Sequence, residues 1–166
     1  SSDLNPWNWL VLGRPTSYFY GTAKGCGASS CSQEVLALGT PFLWWSGVVA
    51  IAITFGYWIA RREWQSSLLL LGLAAGYLPW FTFQKRTMFS FYAIAFEPFI
   101  ILIICYVIAK FLEDREDETQ RRVRERLVFG YLGIIVLCFI YFLPIYIGQN
   151  ITYASWLSHM WLPSWI

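Results

Sequence analysis

Four apolar runs separated by short charged stretches dominate the pattern of this sequence. The runs cover residues 41–60, 67–83, 88–109 and 127–147. Helices of about 17–25 apolar residues match the thickness of a bilayer core. The pattern therefore predicts an all-α membrane protein with a four-helix transmembrane region at 41–149. Residues 1–40 are expected to form an extracytoplasmic loop, and residues 150–166 an interfacial C-terminal tail.

Composition agrees with this prediction. Hydrophobic residues make up 57% of the chain and charged residues 13%, whereas a soluble domain averages about 25% charged residues. The basic residues flank the runs and form no patch with stacking aromatics, so no nucleic-acid partner is expected. The chain begins at Ser1 without a signal-peptide pattern, so we expect an N-terminal part of the same protein to be missing.

The distribution of Lys and Arg predicts the orientation. The turns after the first and third runs carry eight of these residues, and the other side of the membrane carries four. Because positive loops stay in the cytoplasm, the N-terminal loop, the turn at 84–88 and the C-terminus lie outside. We therefore expect a multi-pass protein of the plasma membrane whose active face is extracytoplasmic.

Cys26 and Cys31 stand close together among small, turn-forming residues. In an extracytoplasmic loop this spacing favours a disulfide, with free thiols as the alternative. A metal site is disfavoured because no further ligand stands nearby. No metal is expected elsewhere either, since His159 is the only histidine.

Lys85 and Arg86 are the leading candidate binding residues. They are expected outside, where the positive-inside rule does not account for them. One interpretation is a pair of cations at a helix end that contact phospholipid head groups. The other is binding of a phosphate-bearing lipid, because the planar guanidinium of Arg matches two phosphate oxygens.

Glu97 is expected about three turns inside the third run, at a helix kinked by Pro98. An ionisable group at that depth usually faces a cavity, which predicts a polar pocket with Tyr92 and His159 as further members. A structural hydrogen bond is the alternative for Glu97. A packing or head-group contact is the simpler explanation for His159.

Two local patterns predict packing. The second run contains Gly72, Ala74, Ala75 and Gly76, small residues that permit close helix contact. The charged stretch from Lys110 to Arg126 has acids followed by bases at helical spacing, such as Asp117–Arg121 and Glu118–Arg122. We expect that stretch to form a solvated helical linker.

Several segments together resemble a known family. The segments are Arg14–Tyr20 (RPTSYFY), Cys26–Gln33, Leu38–Trp45 (LGTPFLWW), Arg86–Phe89 (RTMF) with Glu97–Phe99 (EPF), and Met160–Ile166 (MWLPSWI). They are similar, in order, to the C-terminal four-span region of protein O-mannosyltransferases of the actinobacterial-type branch. The similarity extends over essentially the whole chain, which makes it more specific than any one motif.

The resemblance implies the C-terminal part of a GT-C glycosyltransferase. Such an enzyme takes mannose from polyprenyl-phosphate-mannose and transfers it to Ser or Thr hydroxyls of exported polypeptides. Arg86, with Lys85, would bind the donor phosphate. The family's catalytic aspartate lies in a loop that this chain does not match, so we expect no catalytic residue here and no activity from the chain alone. Expected partners are membrane lipid, the donor, the exported polypeptide and the export translocon, with no further cofactor.

Two alternatives stay open at this point. Another GT-C transferase that uses a polyprenyl-phosphate sugar would differ in its donor. A non-enzymatic transporter or channel bundle would place Glu97 on an ion path. Transporters usually contain internal repeats, and the two halves of this sequence show no such duplication.

Overall fold

The computed structural model describes residues 6–22, 24–83, 89–113 and 118–166. Its helices are α1 (Pro41–Arg61), α2 (Trp64–Tyr77), α3 (Glu97–Glu113), α4 (Glu118–Tyr146) and α5 (Tyr153–His159). Its strands are β1 (Thr16–Gly21), β2 (Cys31–Ala37) and β3 (Ile151–Thr152). Short 3-10 helices lie at Pro6–Asn8, Leu78–Phe83, Ser90–Ala95 and Pro163–Trp165.

Among the described residues, three helical segments are long and apolar enough to cross a membrane. They are Pro41–Arg61, Trp64–Phe83 and Glu118–Tyr146. The 21 residues of α1 extend about 31 Å at 1.5 Å per residue, which is the thickness of a bilayer core. Their apolar side chains largely point outward, since Leu71 is 66% and Leu137 67% exposed. The prediction of a helical membrane protein is confirmed.

The third predicted run contains two different helices. Ser90–Ala95 is a 3-10 helix, and α3 begins only at Glu97. The carbonyl oxygen of Phe96 accepts a hydrogen bond from the N–H of Ile100 at 3.3 Å. Pro98 therefore lies in the first turn of α3, where its missing N–H has no partner to lose. The prediction that Glu97 lies three turns inside a helix kinked by Pro98 is wrong, because proline here begins a helix.

Glycines bring α2 close to the start of α3. A Cβ added at Gly72 would overlap the ring of Phe99. A Cβ added at Gly76 would lie 2.9 Å from the Cβ of Phe96 and 3.1 Å from the carbonyl oxygen of Ala95. The prediction of close helix packing is confirmed at Gly72 and Gly76, and Phe96 is completely buried at the contact.

An antiparallel three-stranded sheet, in the order β1-β2-β3, lies where a loop and a tail were expected. The all-α prediction is therefore wrong for this end of the molecule, which we call the sheet end. Within β2, Ser32, Glu34 and Leu36 are buried and the residues between them are partly exposed. This period of two is that of a half-buried strand. Since β3 consists of residues 151–152, far from β2 in the sequence, no local sequence pattern could predict the pairing of β2 with β3.

The predicted disulfide between Cys26 and Cys31 is confirmed. It closes the connection between β1 and β2, and the two Cα atoms lie 5.9 Å apart, within the usual range. Cys31 is the first residue of β2. The bond therefore ties the hairpin loop directly to the central strand.

The C-terminal residues pack on the sheet and on the N-terminal segment. Trp156 and Trp165 are each 4% exposed, and the indole N–H of Trp165 donates to the carbonyl oxygen of Leu12 at 2.7 Å. The hydroxyl of Thr152 caps α5 by accepting from the N–H of Ser155 at 3.2 Å. Both termini of the described chain therefore cover the same end of the helix bundle.

The second half of the predicted linker is continuous with the fourth run, as the single helix α4. The predicted ion pair between Glu118 and Arg122 is confirmed, with an N–O distance of 2.7 Å. Arg121 pairs with Glu125 at 2.8 Å. Its predicted partner, Asp117, lies outside the described residues.

Candidate functional site

Lys85 and Arg86, the candidate phosphate-binding residues, belong to the segment 84–88, which lies outside the described residues. The two flanks of this segment are described. They are the 3-10 helices Leu78–Phe83 and Ser90–Ala95. The contacts of these flanks define the surroundings of the candidate site.

Ser90 bonds the second flank to two strands of the sheet. Its hydroxyl accepts from the backbone N–H of Thr16 at 3.0 Å, lies 2.9 Å from the Thr16 hydroxyl, and donates to the carbonyl oxygen of Ala37 at 3.4 Å. The backbone N–H of Ser90 donates to the Thr16 hydroxyl at 3.2 Å. Ser90 follows the segment 84–88 after one intervening residue. The start of β1 and the end of β2 therefore hold Ser90 in place.

Aromatic rings join the two flanks to each other. Trp80 and Tyr92 stack with centroids 4.7 Å apart and planes 12° from parallel. Trp9 contacts both rings, at 5.7 and 6.4 Å, and we call these three residues the aromatic cluster. Tyr18 of β1 stacks on Phe91 at 5.8 Å. Each such pair contributes about 0.5–1.5 kcal/mol beyond its buried area, so both flanks are fixed at the sheet end.

The structure does not bring the three predicted pocket residues together. Tyr92 lies in the aromatic cluster. Glu97 is half-buried as the first residue of α3, where a negative charge is favoured by the helix dipole. His159 lies in α5 and is 4% exposed. Among the residues that the structure describes, no hydrogen bond, ion pair or ring contact joins any two of the three.

Hydrogen-bond contacts occupy both nitrogens of His159, and a stacked ring covers one of its faces. Its Nδ1 lies 2.6 Å from the carbonyl oxygen of Ser155, and its Nε2 lies 2.8 Å from that of Tyr141. The ring also stacks on the phenol of Tyr141 at 4.5 Å. These contacts support a packing role. Within the described ranges, no group of three or more His, Cys, Asp or Glu side chains is placed to hold a metal ion.

Sequence reasoning missed Glu34, a carboxylate that is 4% exposed in the central strand. One of its oxygens accepts from the indole N–H of Trp156 at 2.6 Å, and the other from the hydroxyl of Ser17 at 2.9 Å. Glu34 thereby connects α5, β2 and β1. Ser32 shares the buried side of β2 with Glu34, so the hydrophobic pattern of the strand gives no signal that would have placed Glu34 on the inner face.

Residues 2–165 match the family described as the C-terminal four TMM region of protein-O-mannosyltransferase. The chain belongs to the protein O-mannosyltransferase family. It is 34% identical over 166 residues to the polyprenol-phosphate-mannose–protein mannosyltransferases of Mycolicibacterium smegmatis and Mycobacterium tuberculosis. It is 33% identical over 165 residues to the protein of the same name from Corynebacterium glutamicum.

These matches cover 98% of the chain but 32% of each relative, so the chain spans about a third of the length of these mannosyltransferases. The fold is also similar to a chain of the S. cerevisiae protein O-mannosyltransferase Pmt1–Pmt2 complex bound to the sugar donor. That likeness has a TM-score of 0.77 and 24% identity, and it covers 98% of this chain and 23% of the yeast chain. The predicted family resemblance is confirmed.

Proposed function

We propose that this chain is the C-terminal membrane region of a GT-C enzyme that transfers mannose from polyprenyl-phosphate-mannose to Ser or Thr hydroxyls of exported polypeptides. The observation that carries this proposal is the 34% identity, over 98% of the chain, to proteins named for that donor and for a protein acceptor. The catalytic base would come from the part of the full-length protein that this chain does not match. We assign no catalytic residue to this region.

We place the sheet end and the C-terminus outside the plasma membrane. The Cys26–Cys31 disulfide supports this orientation, because such bonds form in oxidising compartments. In this topology α3 is a fourth span, and its 17 residues extend about 26 Å. Reaction of reduced Cys26 with a membrane-impermeant maleimide in intact cells tests the orientation. Labelling only after the cells are opened would contradict it.

We assign donor-phosphate binding to Arg86, assisted by Lys85. Transfer breaks the bond between the mannose anomeric carbon and a phosphate oxygen, which leaves negative charge on the polyprenyl phosphate. The acceptor hydroxyl forms the new bond and gives its proton to the base. A fixed cation at the phosphate stabilises the departing charge. The hydrogen bonds of Ser90 and the aromatic cluster support this role, because they fix both flanks of the segment that carries Arg86.

We assign acceptor contact to the exposed aromatic residues of β1. Tyr18, Phe19 and Tyr20 are 59%, 50% and 49% exposed, and exposed aromatic residues that are contiguous often mark an interaction site. Phe91, which directly follows Ser90, stacks on Tyr18. An unfolded polypeptide delivered by the export translocon would contact these rings next to the donor phosphate.

The proposal is tested in the full-length protein by measuring mannose transfer from labelled polyprenyl-phosphate-mannose to an acceptor peptide. Arg86→Ala should reduce the rate by about 100-fold, the usual effect of removing one group that stabilises transition-state charge. Arg86→Lys should recover part of the loss, because Lys keeps the charge but not the planar fork. Lys24→Ala removes a cation from the connection between β1 and β2 and is the matched control.

Equal rates for Arg86→Ala and Lys24→Ala, at equal expression, would remove Arg86 from the site. The donor is tested separately, with other labelled polyprenyl-phosphate sugars. Transfer of another sugar in preference to mannose would favour a different polyprenyl-phosphate-sugar transferase.

A further inference from the structure

His159 is a buried titratable side chain that the proposed mannosyl transfer does not use. It is the last residue of α5 and is 4% exposed. Its ring lies between two backbone carbonyl oxygens. Nδ1 is 2.6 Å from the oxygen of Ser155 in α5, and Nε2 is 2.8 Å from the oxygen of Tyr141 in α4. Both distances are short for a hydrogen bond between neutral groups and are typical of one in which the donor is charged.

The two carbonyl oxygens around His159 can only accept hydrogen bonds. Each ring nitrogen must therefore donate. A neutral imidazole has one N–H and one bare nitrogen, whereas an imidazolium has two N–H groups. In the neutral ring, a nitrogen lone pair would face a carbonyl oxygen at 2.6 or 2.8 Å. Only the protonated ring satisfies both contacts.

The surroundings of the His159 ring also favour a positive charge. The ring stacks on the phenol of Tyr141 with centroids 4.5 Å apart, and the ring of Phe142 lies at 5.7 Å. The face of an aromatic ring attracts cations. His159 also ends α5, where the last carbonyl groups of a helix favour a cation.

Three titratable side chains of neighbouring elements bond to or stack on α5 in the described part of the chain. The hydroxyl of Tyr141 on α4 donates to the carbonyl oxygen of Ser158 at 2.9 Å. Glu34 on β2 accepts from Trp156 at 2.6 Å, and Tyr20 on β1 contacts the Trp156 ring at 5.5 Å. The two residues of β3 carry no titratable group. Glu34 is the one carboxylate in this set, so a buried acid and the His159 ring both attach α5.

We propose that His159 is held as an imidazolium and forms a pH-sensitive bridge between α5 and α4. Loss of the ring proton removes one N–H, so one of the two hydrogen bonds to Ser155 and Tyr141 is lost. A histidine in an unfolded chain loses this proton near about pH 6.5. The bridge therefore stabilises the attachment of α5 fully below that pH, and the stabilisation is lost as the pH rises. The bridge requires only the contacts of His159 and is independent of the proposed mannosyl transfer.

The bridge also affects the chain that follows α5. The indole N–H of Trp165 donates to the carbonyl oxygen of Leu12 at 2.7 Å. Leu12 belongs to the N-terminal segment that carries Trp9 of the aromatic cluster. Loosening of α5 at high pH should therefore reach the contact between the C-terminal residues and this segment.

The test is hydrogen exchange followed by mass spectrometry of the full-length protein at about pH 5.5 and about pH 8.5, on either side of the ordinary imidazole titration. Protection factors, which correct for the intrinsic pH dependence of exchange, are compared in peptides that contain residues 153–159. Those of the wild type should be about tenfold higher at the lower pH, the equivalent of one hydrogen bond. Peptides from α1 provide the internal control and should show no such ratio.

Two variants assign the pH dependence to a residue. H159Q carries an amide that does not titrate, so its α5 peptides should be weakly protected at both pH values. E34Q removes the buried carboxylate that contacts α5. It should lower protection at both pH values and keep the tenfold ratio between them.

Equal protection of α5 at both pH values in the wild type would overturn the proposal. A ratio that persists in H159Q would assign the titration to another group and would also overturn it. If H159Q does not fold, the wild type and E34Q decide, because a ratio that disappears in E34Q would assign the titration to Glu34 in place of His159.

Discussion

Replacing Glu34 with Gln is a sharp test of how the C-terminal residues are attached to the sheet. Gln keeps the shape of Glu but has only one accepting oxygen. The hydrogen bonds from Trp156 and Ser17 arrive at two different oxygens, at 2.6 and 2.9 Å. The Ser17 hydroxyl can also accept, so it can pair with the NH₂ group of the variant, whereas the indole N–H of Trp156 can only donate and is left with a neutral amide oxygen, in a site where the native Glu34 is 4% exposed.

The magnitude follows from the burial and charge of this contact. A hydrogen bond to a charged group contributes about 1.5–3 kcal/mol, and one between neutral groups about 0.5–1.5 kcal/mol. We therefore expect Glu34→Gln to reduce the local opening free energy of α5 by about 1.4 kcal/mol. Since about 1.4 kcal/mol is a tenfold change in an equilibrium constant, amides of α5 should exchange about tenfold faster.

Hydrogen exchange followed by mass spectrometry of the full-length protein measures this directly, in peptides that contain residues 153–159. Trp156→Phe removes the donor and should have a similar effect. Because the two residues share one bond, the double variant should lose less than the sum of the single losses. Ser17→Ala removes only the bond from β1 and should leave α5 exchange nearly unchanged. Unchanged exchange in Glu34→Gln, or equal acceleration in Ser17→Ala, would refute the reasoning.

Three further predictions concern other contacts. Gly76→Ala should lower the thermal midpoint of unfolding, because overpacking costs about 1–3 kcal/mol and exceeds the helix-propensity gain of about 1 kcal/mol. The control Gly133→Ala, whose added Cβ meets nothing within 4 Å, should not lower the midpoint. Lys110 forms an ion pair with Glu63 at 2.9 Å, which lowers the pKa of Glu63. Lys110→Met should lower the free energy of unfolding above pH 4.5, the ordinary pKa of Glu63. The difference in this free energy between the variant and the wild type should become smaller as the pH falls through the lowered pKa of Glu63. A difference in the free energy of unfolding that does not vary with pH would contradict this. Cys26→Ser should destabilise the hairpin of β1 and β2 by about 2 kcal/mol, the chain-entropy value for so short a loop, and hydrogen exchange in residues 16–37 measures the effect.

The sequence was sufficient for features that depend on neighbouring residues. Apolar runs, the turn that closes the Cys26–Cys31 disulfide, and the helical pair of Glu118 with Arg122 are all of this kind. Hydrophobicity and i,i+4 spacing act along one segment, so they can be read without knowledge of the fold. The same holds for the close approach permitted at Gly72 and Gly76, although their partner helix had to come from the structure.

Tertiary structure decided the rest. Pro98 is compatible with either a kink within a helix or the first turn of a helix. The packing of Phe96 against α2 favours a helix that begins at Glu97. The sheet needs β3 from the opposite end of the chain, and a two-residue strand has no pattern of its own to detect. The burial of Glu34 and His159 depends on partners contributed by α5 and α4. Such contacts join segments that are far apart in the sequence, so no local sequence pattern predicts them. The apolar runs can be predicted locally because each residue that faces the bilayer core must itself be apolar.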